Sequence, residues 1–438
     1  MPERLDTSAM RGRGISSVHT AGRHLLAGLL VLMLGWLTPA LAHAQDHVQG
    51  IADPAAQQPP APRIGVITMT PGEDYWARFG HNAILVEDAT SGERISYNYG
   101  YFDFEQPGFM RRFMRGQMLY QLVALPLEVD LHTYAAEGRG ATLQWLDLPA
   151  AQAIALADFL KWNALPENAD YRYDYFTDNC STRVRDALDR ALDGALARQL
   201  RTRSHGLTYR NEALRLGAGL PWMLLGMHAG LGPFADRPLS LWDEAFVPQR
   251  LADALQSVEL EDGRPLVREQ LELLPDRLAL ERDTAPSLRA HFAIAGGGLA
   301  LLLGLLLRPR AGRAARLSGT ALAAGIWLAC GLGGLVLVGL WTLTAHVAAW
   351  GNENLLLFNP LCLALLAAIP TLARGRQAPR WLVATAQLVA AAAALALFLR
   401  FLPFRIQNNA DFIVLLGPIH AVLAWRLTRR DDTHAGNE

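Results

Sequence analysis

Polar and apolar positions follow three different patterns along this chain. Near the N-terminus an unbroken apolar run, "LLAGLLVLMLGWLTPALA" (Leu25 to Ala42), follows Arg11, Arg13 and Arg23 and ends in "AHA" (Ala42 to Ala44) before Gln45. Basic residues, an apolar run and a small-residue site are the marks of an export signal over residues 1–44. An uncleaved anchor is the alternative, and both place the following chain outside the cytoplasm. Residues 45–63 are rich in Pro, Ala and Gln and read as a linker.

The second pattern, over residues 64–285, alternates at strand spacing early and at helical spacing later, without an internal repeat. In "WARFGHNAILVED" (Trp76 to Asp88) the apolar run Ala83 to Val86 reads as a buried strand that starts at His81. "ATSGER" is a turn, and "ISYNYGYFDF" (Ile95 to Phe104) is the second strand of a hairpin. The second half of Arg112 to Glu128 suits another strand. Later, Asp178 or Asn179 can cap a helix that carries Val184, Leu188 and Leu192 at helical spacing. Strands followed by helices predict an α+β domain.

The third pattern begins after "RDTAPSLR" (Arg282 to Arg289). A bilayer core asks for ~20 mostly apolar residues per helix. Spans are expected at about 290–307, 318–343, 355–373, 381–402 and 410–425, an all-α five-helix bundle over 286–428 with a tail at 429–438. Arg-rich segments follow the first, third and fifth spans, whereas "AHVAAWGNENLL" after the second has neither Lys nor Arg. The positive-inside rule then places the tail in the cytoplasm and the 64–285 domain on the opposite side. The outward loops hold His346, Asn352, Asn354, Asn359, Gln407, Asn408 and Asn409, and His420 lies inside the last span, facing the bundle interior. They read as helix caps or as a polar floor for a lipid headgroup.

Composition narrows the chemistry. The chain of 438 residues has a net charge of −1, which gives no reason to expect nucleic acid. No HExxH, paired CxxC or supported Gly-rich nucleotide loop occurs, so neither metal nor cofactor is expected. Of the three cysteines, Cys330 and Cys362 fall in expected spans and leave Cys180 alone in the exported domain. An unpaired thiol in an oxidising compartment is either reactive or deeply buried. Asp178, Asn179, Ser181, Thr182 and Arg183 make a poor setting for burial. A cysteine in the first turn of a helix, with Arg183 and Arg185 nearby, is placed to hold a thiolate. His81 is the candidate base. Triad logic asks for a third group to orient its ring. Asn98 on the neighbouring strand is the candidate, with Tyr97 and Asp103 as alternatives.

At these residues the chain resembles a known family. "FGHNAILVED", "ISYNYGYFDF" and "YDYFTDNCSTRVRD" are similar to the periplasmic domain of the Lnb-type lipoprotein N-acyltransferases, and the likeness continues in Leu231 to Leu251 and Thr344 to Leu361. The histidine-first order also resembles the permuted papain-like enzymes, including lecithin:retinol acyltransferase. The resemblance implies a permuted papain-like periplasmic domain with an antiparallel sheet and helices. It implies Cys180 as nucleophile and His81 as base, a membrane phospholipid as acyl donor and diacylated lipoproteins as acceptors. It also implies a place in the bacterial inner membrane. Tyr97, Tyr99, Asn179, Arg183, His346, Asn352 and Asn354 are then candidate substrate-binding residues. Rival readings of the same residues are a membrane-anchored peptidoglycan hydrolase or phospholipase, and a non-enzymatic envelope receptor with a structural Cys180.

Overall fold

The computed structural model describes residues 60–428. The expected export signal, most of the linker and the cytoplasmic tail lie outside the described residues. The exported domain is built on a seven-stranded antiparallel sheet: β1 (Arg63–Met69), β2 (His81–Glu87), β3 (Arg94–Tyr101), β4 (Leu119–Pro126), β5 (Ala141–Leu146), β6 (Asp170–Arg172) and β7 (Val267–Leu274), in the order β6-β4-β3-β2-β1-β5-β7. Helices α1 (Phe109–Met114), α2 (Leu127–Ala136), α3 (Ala150–Asn163) and α4 (Cys180–Ala191) intervene. Short helices α5 (Ala195–Leu200), α6 (Tyr209–Gly217), α7 (Pro221–Gly230), α8 (Leu241–Glu244) and α9 (Pro248–Gln256) complete the domain.

The central strands are apolar on both faces because both faces are covered. Ile64, Val66, Ile84, Val86, Tyr97 and Tyr99 pack with Leu156 and Leu160 of α3 and Val184 and Leu188 of α4. On the other face Ile67, Met69, Ala83, Leu85 and Leu143 pack with Leu127, Leu131 and Tyr134 of α2. Two departures from regular pairing shape the sheet. β2 stays with β1 as far as the Met69–His81 pair, but its ladder with β3 stops at Ile84–Tyr97. β3 then shifts register against β4 between Tyr99 and Tyr101, where Gly100 takes φ +102°. Such a bulge re-aims the strand at the point where the ladder ends. The gap between the parted strands receives the start of α4.

Among the described residues, four helices are long and apolar enough to cross a membrane: α10 (Arg289–Leu306), α11 (Arg313–Leu343), α14 (Arg380–Leu399) and α15 (Ala410–Thr428). The span expected at 355–373 is broken instead. It consists of 3-10 turns and the short helices α12 (Cys362–Leu365) and α13 (Ile369–Arg374). Pro360 and Pro370 account for the interruptions, since each lacks an N–H and clashes with the preceding turn. The apolar helical stretch Cys362–Arg374 covers about 20 Å at ~1.5 Å per residue, short of a hydrocarbon core of ~30 Å.

The two parts meet at the C-terminal end of α7. A helix end leaves carbonyls without intrahelical partners. Here side chains from both parts supply the missing donors. Arg210 of α6 donates to the carbonyls of His228 and Leu231, both at 2.8 Å. From the membrane part, Asn352 donates to Ala229 and Gly230 at 2.8 and 2.9 Å, Asn354 donates to Ala229 at 2.9 Å, and Gln407 donates to Leu231 at 3.4 Å. Gly232 donates its N–H to the Ala348 carbonyl at 2.7 Å, and a β-carbon on it would lie 2.4 Å from the Trp350 carbonyl oxygen. His228 reaches Asp411, at the start of α15, with 3.1 Å between Nε2 and Oδ2. Arg210 itself pairs with Asp236 at 2.8 Å, and both side chains are buried. Removing one partner of such a pair strands the other charge and costs about 3–5 kcal/mol. Arg210→Met is therefore expected to unfold several degrees below the native protein in a detergent melt, and an unchanged melt would contradict this account of the junction.

Candidate active site

The sheet and α4 bring His81 and Cys180 together from residues 99 apart in sequence, as the neighbouring Asn82–Ser181 bond makes plain. His81 opens β2 on the α2 side of the sheet, with its ring 6.3 Å from Tyr134 and nearly parallel to it. Cys180 is the first residue of α4, on the opposite side. They meet around the end of β2, where β3 has departed, and each is half-buried. The next residues lock this meeting. Ser181 donates to Asn82 Oδ1 at 2.8 Å and also lies 2.6 Å from the Ala245 carbonyl, while Asn82 donates to Thr68 Oγ1 at 2.8 Å. Both Asn82 and Ser181 are fully buried.

The helix start is preformed. Asn179 caps α4, accepting from the Thr182 N–H at 2.9 Å while its own N–H donates to Thr182 Oγ1 at 2.7 Å. This reciprocal cap holds the first-turn N–H groups in place beside the sulfur. Burial by itself pushes the Cys180 thiol up. The His81 charge and ring hydrogen bond, together with the Asn82 and Ser181 backbone N–H groups, outweigh burial and bring it below its ordinary value. For His81, burial pulls the ring down. The Cys180 charge and hydrogen bond, then Asp130 and Asn98, lift it above its ordinary value. Each group thus favours the charged form of the other.

His81 Nε2 lies 3.0 Å from Asn98 Oδ1, which leaves Nδ1 for the sulfur. A buried acidic network backs the amide. Asn98 Nδ2 donates to Asp130 Oδ2 and to Ser96 Oγ, each at 3.0 Å, and Ser96 donates to the same Asp130 oxygen at 2.7 Å. With Asp130 taking its N–H group, Asn98 must present its carbonyl oxygen to His81, so the ring carries a proton on Nε2. Asp130, in α2, drew no attention in the sequence. The strand expected over the second half of Arg112 to Glu128 ends at Pro126 as β4, and α2 follows at once.

The other candidate residues lie elsewhere or are engaged. Tyr97 is buried in the core on the α4 side, and Asp103 caps a turn by accepting from the Glu105 N–H. Tyr99 donates its hydroxyl to Asn163 at 2.8 Å. Asn179 spends its amide N–H groups on the carbonyls of Tyr175 and Phe246. Arg183 pairs with Asp178 and lies over the Tyr171 ring, 4.2 Å from its centroid. Asn352 and Asn354 belong to the junction with α7. His346 donates toward the Phe113 carbonyl at 3.1 Å and stacks on Tyr175 at 5.9 Å, so this loop reaches the segment that leads into Cys180. Among the described residues, no group of three or more His, Cys, Asp or Glu is placed to hold a metal ion.

A thiol–imidazole–amide cluster on an α+β domain, docked onto several helices long and apolar enough to cross a membrane, defines a multi-pass membrane protein. Residues 55–212 match the Lnb N-terminal periplasmic domain and residues 300–430 match the Lnb transmembrane domain, so the chain belongs to the Lnb family. Comparison with curated proteins and with solved structures gives no match.

The site predicts a distinctive thiol. In the native protein the alkylation of Cys180 by iodoacetamide should have its midpoint below pH ~8.5, the ordinary thiol range. Without the imidazolium, burial is opposed only by the Asn82 and Ser181 N–H groups, so His81→Ala should move that midpoint upward. Coincident profiles would refute the pairing. Asn98→Ala should slow turnover about 100-fold through misorientation of the ring, with Cys180 still alkylated to completion.

Proposed function

We propose that this protein is a lipoprotein N-acyltransferase of the bacterial inner membrane, with its catalytic domain in the periplasm and its C-terminus in the cytoplasm. The acyl group moves from a phospholipid to Cys180 and then to the N-terminal amine of a diacylated lipoprotein. The observation that carries this reading is the Cys180–His81–Asn98 constellation on a domain clamped to the membrane helices through residues 228–232. Confining an active site at the bilayer surface raises the effective concentration of lipid-borne partners. A hydrolase of soluble peptides gains nothing from that clamp.

In the first half-reaction the Cys180 thiolate attacks an ester carbonyl of the donor. The Cys180 backbone N–H, at the first position of α4, is suited to hydrogen-bond the tetrahedral oxyanion. The carbon–oxygen bond to the glycerol then breaks, His81 gives its proton to the leaving alkoxide, and a lysophospholipid departs. In the second half-reaction the lipoprotein amine attacks the thioester. The carbon–sulfur bond breaks as the amide forms, the amine's proton passes to His81, and the thiolate–imidazolium pair is restored. The histidine-then-cysteine order supports the likeness to permuted papain-like acyltransferases. A run of exposed rings on the same domain suits acyl chains. Trp222 of α7 meets Tyr75 edge-on at 5.9 Å, Tyr75 meets Trp76 at 4.7 Å, and Trp76 meets Phe104 at 5.7 Å.

The test is complementation. In cells depleted of their own lipoprotein N-acyltransferase, this chain should restore the third acyl chain on lipoprotein N-termini, read by mass spectrometry. Cys180→Ser, inserted in the membrane at the same level, should not. Well-expressed native protein that leaves lipoproteins diacylated would overturn the reading, and release of free fatty acid instead would make the protein a phospholipase.

A further inference from the structure

The reading above leaves the oxyanion with one donor, the Cys180 N–H, where acyl-transfer sites work by aiming preorganised donors at the developing charge. A second donor stands within the same gap. Tyr171, the middle residue of β6, is 7 % exposed, and its hydroxyl has no hydrogen-bond partner among the described residues. Its position relative to the nucleophile is marked by Gly100, at the bulge of β3. A β-carbon built on that glycine would lie 3.4 Å from the Cys180 β-carbon and 3.8 Å from Tyr171 Oη. The thiol-bearing carbon and the phenol therefore border one small space, which a glycine keeps clear.

We propose that Tyr171 Oη is the second oxyanion donor, hydrogen-bonding the acyl carbonyl oxygen as Cys180 sulfur attacks the carbon. The assignment rests on the acyl-transfer reading. No bond to Tyr171 forms or breaks in the step, and its proton stays on Oη while the oxyanion forms and collapses. Its ring is already secured without the hydroxyl, by an edge contact with Tyr99 at 6.0 Å and by the Arg183 guanidinium over its face. A buried hydroxyl left without a partner destabilises the fold relative to a plain phenyl ring, so packing alone favours Phe here. Burial, reinforced by the nearby Cys180 charge, holds the phenol well above its ordinary range and so keeps it a donor. The Arg183 guanidinium over the ring face acts the other way, pulling the phenol down without overcoming burial and making its O–H a stronger donor. Tyr99 offers the contrast, since its hydroxyl is occupied by Asn163.

The experiment compares the full-length native protein with Tyr171→Phe in detergent micelles, using p-nitrophenyl butyrate to follow acylation of Cys180 as a burst of p-nitrophenolate. The burst rate should fall about 100-fold in Tyr171→Phe, the scale of losing one oxyanion donor, whereas a rate within about threefold of native would overturn the assignment. The melting temperature should be equal or higher, and the Cys180 alkylation profile against pH should be unchanged. A clear loss of stability would mean that the hydroxyl serves the fold, and would likewise overturn it. A native protein that gives the burst but never acylates a lipoprotein would sink the acceptor reading and leave Tyr171 in place, so the two failures are distinguishable.

Discussion

The hydrogen bond between Ser181 and Asn82 is the constraint on which the site depends. It is buried, it joins the first turn of a helix to the end of a strand, and each partner is the next residue along from His81 or Cys180. Because neither residue can be displaced without exposing buried polar groups, the thiol and the imidazole are held in register by the fold itself. Everything else around them elaborates that joint. The early end of the β2–β3 ladder makes room for α4. The Asn179 cap aims the helix start, and the Asn98–Ser96–Asp130 network orients the ring from the opposite face of the sheet. The site is thus assembled across the sheet, with one half on each side.

A second joint ties this assembly to the membrane part. The carbonyls at the end of α7 accept from Arg210 on one side and from Asn352, Asn354 and Gln407 on the other. Such a connection through backbone acceptors tolerates little sliding, because each donor has only one geometry that satisfies it. The amides, read as helix caps or as a polar floor for lipid, join the two parts here, and Asn352 also caps the short turn that follows it. The loop that carries Asn352 and Asn354 also brings His346 against Tyr175, five residues before Cys180.

Much of this was legible in the chain. The lone exported cysteine, its polar flanks, the capping asparagine and the histidine at a strand start each leave a local signal, and the hairpin suggested Asn98 as a neighbour. The structure brings those three side chains together. Asp130 and Tyr171 left no such signal. The first sits in a helix with an ordinary mixture of Leu, Asp and Glu, and the second is one of three tyrosines at alternate positions from a short edge strand onward, Tyr171, Tyr173 and Tyr175. Their significance comes from contacts made by distant elements, which no spacing along the chain encodes. The third membrane segment was legible only in part, for a related reason. Its hydropathy is that of a span, but Pro360 and Pro370 limit the length of helix it can form, and the buried amides before it bind α7 rather than face lipid.

The central claim is that Cys180 carries the acyl group, and trapping that intermediate tests it most directly. The purified full-length protein is incubated with phospholipid vesicles in the absence of any acceptor, quenched in acid, digested and analysed by mass spectrometry. The account predicts a fatty-acyl adduct on the peptide containing Cys180, removed by neutral hydroxylamine as a thioester should be. An unmodified Cys180 peptide in protein that is nevertheless turning over phospholipid, or an adduct on another residue alone, would contradict it.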